Sequence, residues 1–202
     1  MPKKAVLFSI KPKYCELIAS GKKTVEVRKT RPKIPTPFKG YIYCTVPSQK
    51  YLHRCTDSEN EWYIDREPFC DGQIYGGKVI GEFVCDYISM NIKGYNQDGV
   101  PAYWNLLNGS CLTADELDDY GRGRPLYGLH ISDLKIYDKP KELSEFRTIC
   151  NYRNDDGSCQ YDKVECDCCK FYFNSDFSVN LAECLNYMQR PPQSWCYVED
   201  KK

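Results

Sequence analysis

The chain opens on a short apolar run, Ala5–Ile10, that predicts a buried strand. Pro12 follows where the first turn of a helix tolerates proline. Tyr14, Leu17 and Ile18 then recur at i, i+3, i+4, which defines one apolar helix face. Gly21 sits where a left-handed residue would stop that helix. Over Thr24–Arg28 the period drops to two, so that Val25 and Val27 point one way and Thr24, Glu26 and Arg28 the other. The opening thus predicts strand, helix, strand, with charges gathered where the helix meets the second strand.

Prolines 32, 35 and 37 make Lys29–Phe38 a stiff extended loop. Gly40–Thr45 alternates again and predicts a strand. Val46–Ile74 has no clear period, mixes Pro, Asp, Gly and Ser, and is expected to be a long loop or insertion. Gly77–Ile88 and Leu126–Tyr137 each read as one long strand, and Ser194–Glu199 as a final one. Between them Trp104–Leu107 suggests a helical turn, and Thr113-Ala114-Asp115-Glu116 is a capping box opening a short helix that ends near Gly121. Strands and helices in this order show no β-α-β repeat. They predict an α+β fold, a small, mostly antiparallel β-barrel with flanking helices. A single domain over 1–202 is expected, with insertions at about 46–74 and about 147–190, the second rich in cysteine.

Charge adds a second pattern. The net charge of the 202 residues is zero, yet residues 1–40 hold eleven Lys and Arg against Glu16 and Glu26, a net of +9, balanced by −9 in the remainder. Such a block suggests one positive face suited to nucleic acid or phosphate, the alternative being a solvated lysine-rich surface. Ala5–Ile10 is too short for the core of a signal peptide and is followed at once by Lys11 and Lys13. No run approaches a membrane span, so a soluble, cytoplasmic protein is expected. Thirteen cysteines cannot all pair within one chain, and without a signal peptide they read as buried thiols, with a metal site possible where they crowd.

The densest chemistry lies in Gly21-Lys22-Lys23-Thr24-Val25-Glu26-Val27-Arg28, of the form G-x-K-x-x-E-x-R. Arg28 offers a planar fork of donors that matches a phosphate or a base edge. Glu26 can accept from an exocyclic amine, as carboxylates do with cytosine N4. Lys23 adds a point charge. The plainer reading is an ion pair of Glu26 with Arg28 that orders the corner; an exposed pair would contribute only about 0–1 kcal/mol. No G-x-S-x-G, Walker or H-E-x-x-H pattern is present. Of the two histidines, His53 falls in the expected insertion, and His130 lies in the strand Leu126–Tyr137, where a satisfied barrel residue is the simpler assignment.

This motif, with Leu7-Phe8-Ser9-Ile10-Lys11-Pro12 and the helix before it, resembles the ASCH domain of the PUA-like superfamily. All four fixed positions, Gly21, Lys23, Glu26 and Arg28, match that family's hallmark. The segments 77–88 and 126–137 match less specifically, and Pro191–Glu199 resembles the end of small bacterial and phage-type members. The resemblance implies a PUA-like barrel with a cleft beside the first helix, holding RNA, a nucleotide or a modified base. Lys23, Glu26 and Arg28 would line it, and Tyr103 and Trp104 are further candidates for the cleft. Some small members are amide hydrolases acting on N4-acetylcytidine, and ribonuclease activity is ascribed to a member. The hydrolases have a threonine where this chain has Glu26, so the motif speaks more for binding than for catalysis. Were the chain an enzyme, Lys23 and Glu26 would be its acid–base pair.

Tyr41, Tyr43 and Trp195 could also stack a base but read first as core fillers, as do Cys44, Cys85 and Cys196. Cys166-x-x-Cys169 has the spacing with which two thiolates grip one tetrahedral zinc, and Cys150 and Cys159 could complete a structural site. Such a zinc would staple a loop-rich insertion that cannot build its own core.

Overall fold

In the computed structural model β1 (Lys4–Ile10) is apolar on both faces and is buried from Ala5 onward. Val6, Phe8 and Ile10 enter one core cluster, and Ala5 and Leu7 enter another on the opposite side. The structure describes residues 3–46, 51–54, 62–65, 73–91, 104–149 and 187–200, and at 51–54, 62–65, 73–74 and 104–105 the backbone alone. The helix α1 (Pro12–Ala19) carries proline in its first turn, and Gly21 leaves it with φ of +72°. Then come β2 (Val25–Arg28) and β3 (Phe38–Cys44), followed by β4 (Tyr51–Arg54), β5 (Trp62–Asp65) and β6 (Gln73–Ile74). After these run β7 (Val79–Cys85), β8 (Ile88–Asn91), α2 (Trp104–Ser110) and α3 (Ala114–Gly121). The last elements are β9 (Leu126–His130), β10 (Ser132–Lys141), a single 3-10 turn at Leu143–Glu145, and β11 (Trp195–Glu199).

The strands form a five-stranded sheet in the order β10-β7-β3-β1-β11, a three-stranded sheet β2-β9-β8, and a small sheet β5-β4-β6. Every pairing is antiparallel except β1 with β3. The fold is therefore α+β and mostly antiparallel, as expected. The expected closed barrel is not seen. Among the described strands, β10 and β11 remain the edges of the large sheet and β2 and β8 those of the second, and no pairing joins them.

Two further expectations are corrected. The supposed single strands Gly77–Ile88 and Leu126–Tyr137 each break and change sheet, the first between β7 and β8, the second between β9 and β10. Apolar alternation runs across the second break because Ile131 is itself buried in the core, so periodicity gives no sign of the turn; the backbone sign is Asp133, at φ +45°. The stretch 46–74 is not simply loop, since β4, β5 and β6 pair within it. Strands of two to four residues are too short to register as a period among turn-forming residues.

The main core lies where α1, the large sheet and β9 meet, through Phe8, Ile18, Ile42, Phe83 and Leu129. A second cluster covers the other face of the large sheet, with Tyr41, Phe146 and Val198. A third, of Val25, Val27, Leu106, Leu117 and Leu126, packs α2 and α3 against β2. That last cluster matters for function: Val25 and Val27 anchor β2 from one side and leave Glu26 and Arg28 facing the other.

Candidate functional site

The corner between α1 and β2 is set by local geometry. The chain turns at Gly21, and Lys23 N donates to Leu17 O at 2.9 Å. Gly109, at φ +97°, lets the end of α2 close on this turn: Thr24 N donates to Gly109 O at 2.8 Å, and a Cβ there would run into Thr24 Oγ1. This contact brings the Ser110 carbonyl to Lys23, whose Nζ donates to it at 2.7 Å.

Lys23, Glu26 and Arg28 then form one connected, buried cluster. Lys23 Nζ lies 3.5 Å from Glu26 Oε2, and Arg28 Nη2 lies 3.0 Å from Glu26 Oε1. Arg28 Nη2 also donates to Ser9 O at 2.7 Å, and Nη1 to Ser194 Oγ at 3.3 Å. Arg28 Nε is buried and meets no acceptor among the described residues. The three residues are only 2%, 6% and 7% exposed, which removes them from the class of weak surface pairs. Burial draws the Lys23 ammonium below the ordinary lysine range, and Glu26 beside it opposes that shift.

The cluster forms part of the wall of a cleft of about 500 Å³. Tyr14 of α1 faces it, with Lys23 Nζ 5.2 Å from its ring centroid, and so do Glu116, Asp119 and Tyr120 of α3. Burial, then Glu116 and Glu26, push the Tyr14 phenol up, and burial does the same to Tyr120, so both remain protonated donors at neutral pH. Three cationic residues, Lys11, Lys23 and Arg28, are met by three acidic ones, Glu26, Glu116 and Asp119. The basic N-terminal block therefore does not make this cleft uniformly positive. Elsewhere Lys39 of that block is taken up by Asp200 at 3.0 Å.

The structure thus brings Lys23, Glu26 and Arg28 together. Tyr103 lies outside the described residues, and Trp104 is described only as the first backbone position of α2. Cys150, Cys159, Cys166 and Cys169 also lie outside the described residues. Among the described residues no group of three or more His, Cys, Asp or Glu is arranged to hold a metal, and no helix is long and apolar enough to cross a membrane. Tyr41 and Tyr43 are core: Tyr41 is fully buried with its ring edge-on to Phe146 at 4.9 Å. Trp195 is packed on Tyr197, and its Nε1 donates to Thr30 Oγ1 at 3.2 Å. Cys44 and Cys85 are buried and Cys196 half-buried; burial pushes Cys85 up to about 12 and Cys196 up to about 11, so both are inert thiols. His130 lines no barrel interior but pairs at a surface corner with Asp86.

Sequence reasoning missed Tyr14 and Tyr120 as cleft residues. Tyr14 had a usable signal, standing on the helix that leads into the motif. Tyr120 had none, since nothing local tells that α3 folds over β2.

No protein-family model matches the chain, and no curated protein matches it. Among solved structures it is similar to the crystal structure of ASCH from Zymomonas mobilis, at 20% identity over 69% of this chain and 73% of that one, with a TM-score of 0.46. A single-residue mutant of that protein gives 21% identity over 71% of this chain and 78% of that one, again with a TM-score of 0.46. At this identity and TM-score the likeness carries nothing about the chemistry of the cleft.

Proposed function

We propose that this chain is an ASCH-type domain that binds RNA or a nucleotide by seating a base in the cleft over β2. The observation that carries the reading is the buried Lys23–Glu26–Arg28 cluster on the wall of a cleft that Tyr14 and Tyr120 also line. A buried charge cluster costs desolvation that apolar packing would avoid, so its place beside a cleft speaks for recognition rather than for stability alone.

The charge balance selects the part of the nucleotide that enters. A phosphate would meet Lys11 but would also face Glu26, Glu116 and Asp119, while Lys23 and Arg28 are already engaged with Glu26 and with backbone carbonyls. An uncharged base meets no such conflict. Its ring stacks on a tyrosine face, its exocyclic amine donates to Glu26, and an acceptor on its edge takes an N–H of the Arg28 guanidinium. Calorimetric titration with cytidine tests this. Arg28→Lys keeps the positive charge but loses the fork, and is expected to weaken cytidine binding about tenfold, the worth of one hydrogen bond from a charged group. Cytidine affinity equal to wild type in folded Arg28→Lys would refute the assignment.

A second reading, a hydrolase acting on an acylated nucleoside, is favoured by one observation: a lysine with lowered proton affinity stands 3.5 Å from a carboxylate. Thr24, the hydroxyl within the motif, is exposed and lines a different cleft, so it does not supply the missing nucleophile. Incubation with N4-acetylcytidine decides this reading, release of acetate supporting it and intact substrate counting against it.

A further inference from the structure

The face of α3 turned to the Glu26 cleft carries Glu116, Asp119 and Tyr120, at i, i+3, i+4. Leu117 and Gly121 turn another way and are buried. The two carboxylates on the cleft face differ. Glu116 Oε2 accepts from Thr113 N at 2.8 Å, within the capping box. Asp119 is exposed and has no hydrogen-bond or ion-pair partner among the described residues. Lys23 and Arg28 do not neutralise it, because both are engaged with Glu26. The Tyr120 ring lines the cleft, while Lys29, outside the lining, sits 4.7 Å from the ring centroid. A cation over one face of a ring leaves the other for a base.

An ionised carboxylate only accepts hydrogen bonds, so Asp119 repels a phosphate and suits a group rich in donors. A cytidine offers such a group at the right end. Its exocyclic amine and its ribose lie on opposite sides of the base. With the amine against Glu26, 6% exposed in the wall, the ribose points outward, where Asp119 is exposed. A base stacked on Tyr120 also brings its ribose to the same helix face as Asp119, within about one helical turn. The two adjacent hydroxyls of a ribose match the two oxygens of one carboxylate, and acidic side chains accept from ribose hydroxyls in dinucleotide sites for the same reason.

We infer that Asp119 binds the ribose in this cleft, its carboxylate accepting from the 2′- and 3′-hydroxyls of a ribonucleoside whose base is seated against Glu26, an inference that rests on the reading above. The ligand therefore has both hydroxyls free. It is a free ribonucleoside or the 3′-terminal residue of an RNA. An internal residue carries a phosphate on its 3′-oxygen, which would set a second negative charge against Asp119.

Calorimetry on the full chain compares cytidine with 2′,3′-dideoxycytidine, which has the same base and neither hydroxyl. Wild type is expected to bind cytidine at least about tenfold more tightly, the worth of one hydrogen bond to a charged group. Asp119→Ala, at an exposed helical position that alanine suits, is expected to bind the two equally, with the dideoxycytidine affinity of wild type. Cytidine 3′-phosphate should bind wild type more weakly than cytidine does, and Asp119→Ala should narrow that gap. Two fluorescein-labelled octamers, seven uridines and a 3′-terminal cytidine ending in a hydroxyl or in a phosphate, separate the two sources by anisotropy. Only the hydroxyl-ended octamer bound as tightly as cytidine assigns an RNA end, and both octamers bound more weakly than cytidine assigns a free ribonucleoside. Both bound as tightly as cytidine refutes the inference. If wild type binds cytidine and dideoxycytidine equally, or Asp119→Ala keeps the preference for cytidine, the ribose assignment is refuted and the base reading stands. If wild type does not bind cytidine, both fall together.

Discussion

Replacing Glu26 by glutamine removes the one negative charge between two buried cations. The separations of 3.5 Å to Lys23 and 3.0 Å to Arg28 correspond to attractions on the order of 5 kcal/mol each at an effective dielectric of about 20. Desolvation of all three groups cancels much of this in the native protein. The variant keeps the desolvation and loses the compensation, so the expected loss is about 3–5 kcal/mol, the range found when one partner of a buried pair is removed. In a chain of this size that lowers Tm by roughly 6–20 °C. The loss should also depend on pH. Burial already holds the Lys23 pKa below its unfolded value, and Glu26 is the main influence opposing the shift, so the variant amine gives up its proton more readily still. Between that lowered value and the ordinary lysine range the unfolded chain binds the extra proton, so stability rises with pH across that window. Urea unfolding at about pH 7 and about pH 9.5 should therefore show a deficit that shrinks at the higher pH. A loss under about 1 kcal/mol at neutral pH would mean that the cluster behaves as an exposed pair and would refute the reasoning. A deficit equal at both pH values would show that Lys23 does not carry the penalty.

Thr113 accepts from Glu116 N at 3.2 Å while Glu116 Oε2 accepts from Thr113 N at 2.8 Å, closing the capping box at the start of α3. Thr113→Ala should cost about 1 kcal/mol by urea midpoint and weaken cytidine binding through the helix that carries Tyr120; an unchanged midpoint would count against the cap. Zinc at Cys150, Cys159, Cys166 and Cys169 is proposed on spacing alone, and metal analysis of folded protein purified without added zinc is expected to give about one zinc per chain. A value near zero in folded protein would refute it.

The corner that holds the cluster was legible because its signals are local. Pro12, the i, i+3, i+4 face, Gly21 and the alternation over Thr24–Arg28 each dictate their own few residues, and α1 and β2 follow. The breaks after Cys85 and at Ile131 were not legible. At the second, buried Ile131 preserves the alternation, and at both which sheet the next strand joins is a tertiary choice. The partners of the cluster were also hidden, because Ser110 stands 87 residues from Lys23, and Ser194 stands 166 from Arg28. The +9 block illustrates the same limit. Charge clustered along the chain is redistributed once β1 and β3 are brought together and the C-terminal segment returns Asp200 to Lys39. The cleft that results is balanced in charge, which shifts the proposed ligand from phosphate to base.

The base reading is tested most directly by titrating the full chain with cytidine and with uridine under the same conditions. The two nucleosides differ at the group that Glu26 is proposed to accept from, an amine in cytidine and a carbonyl oxygen in uridine. Cytidine is expected to bind at least about tenfold more tightly, since a carbonyl oxygen facing the Glu26 carboxylate leaves two acceptors opposed. Equal affinity for the two, or no binding of either, would contradict the account.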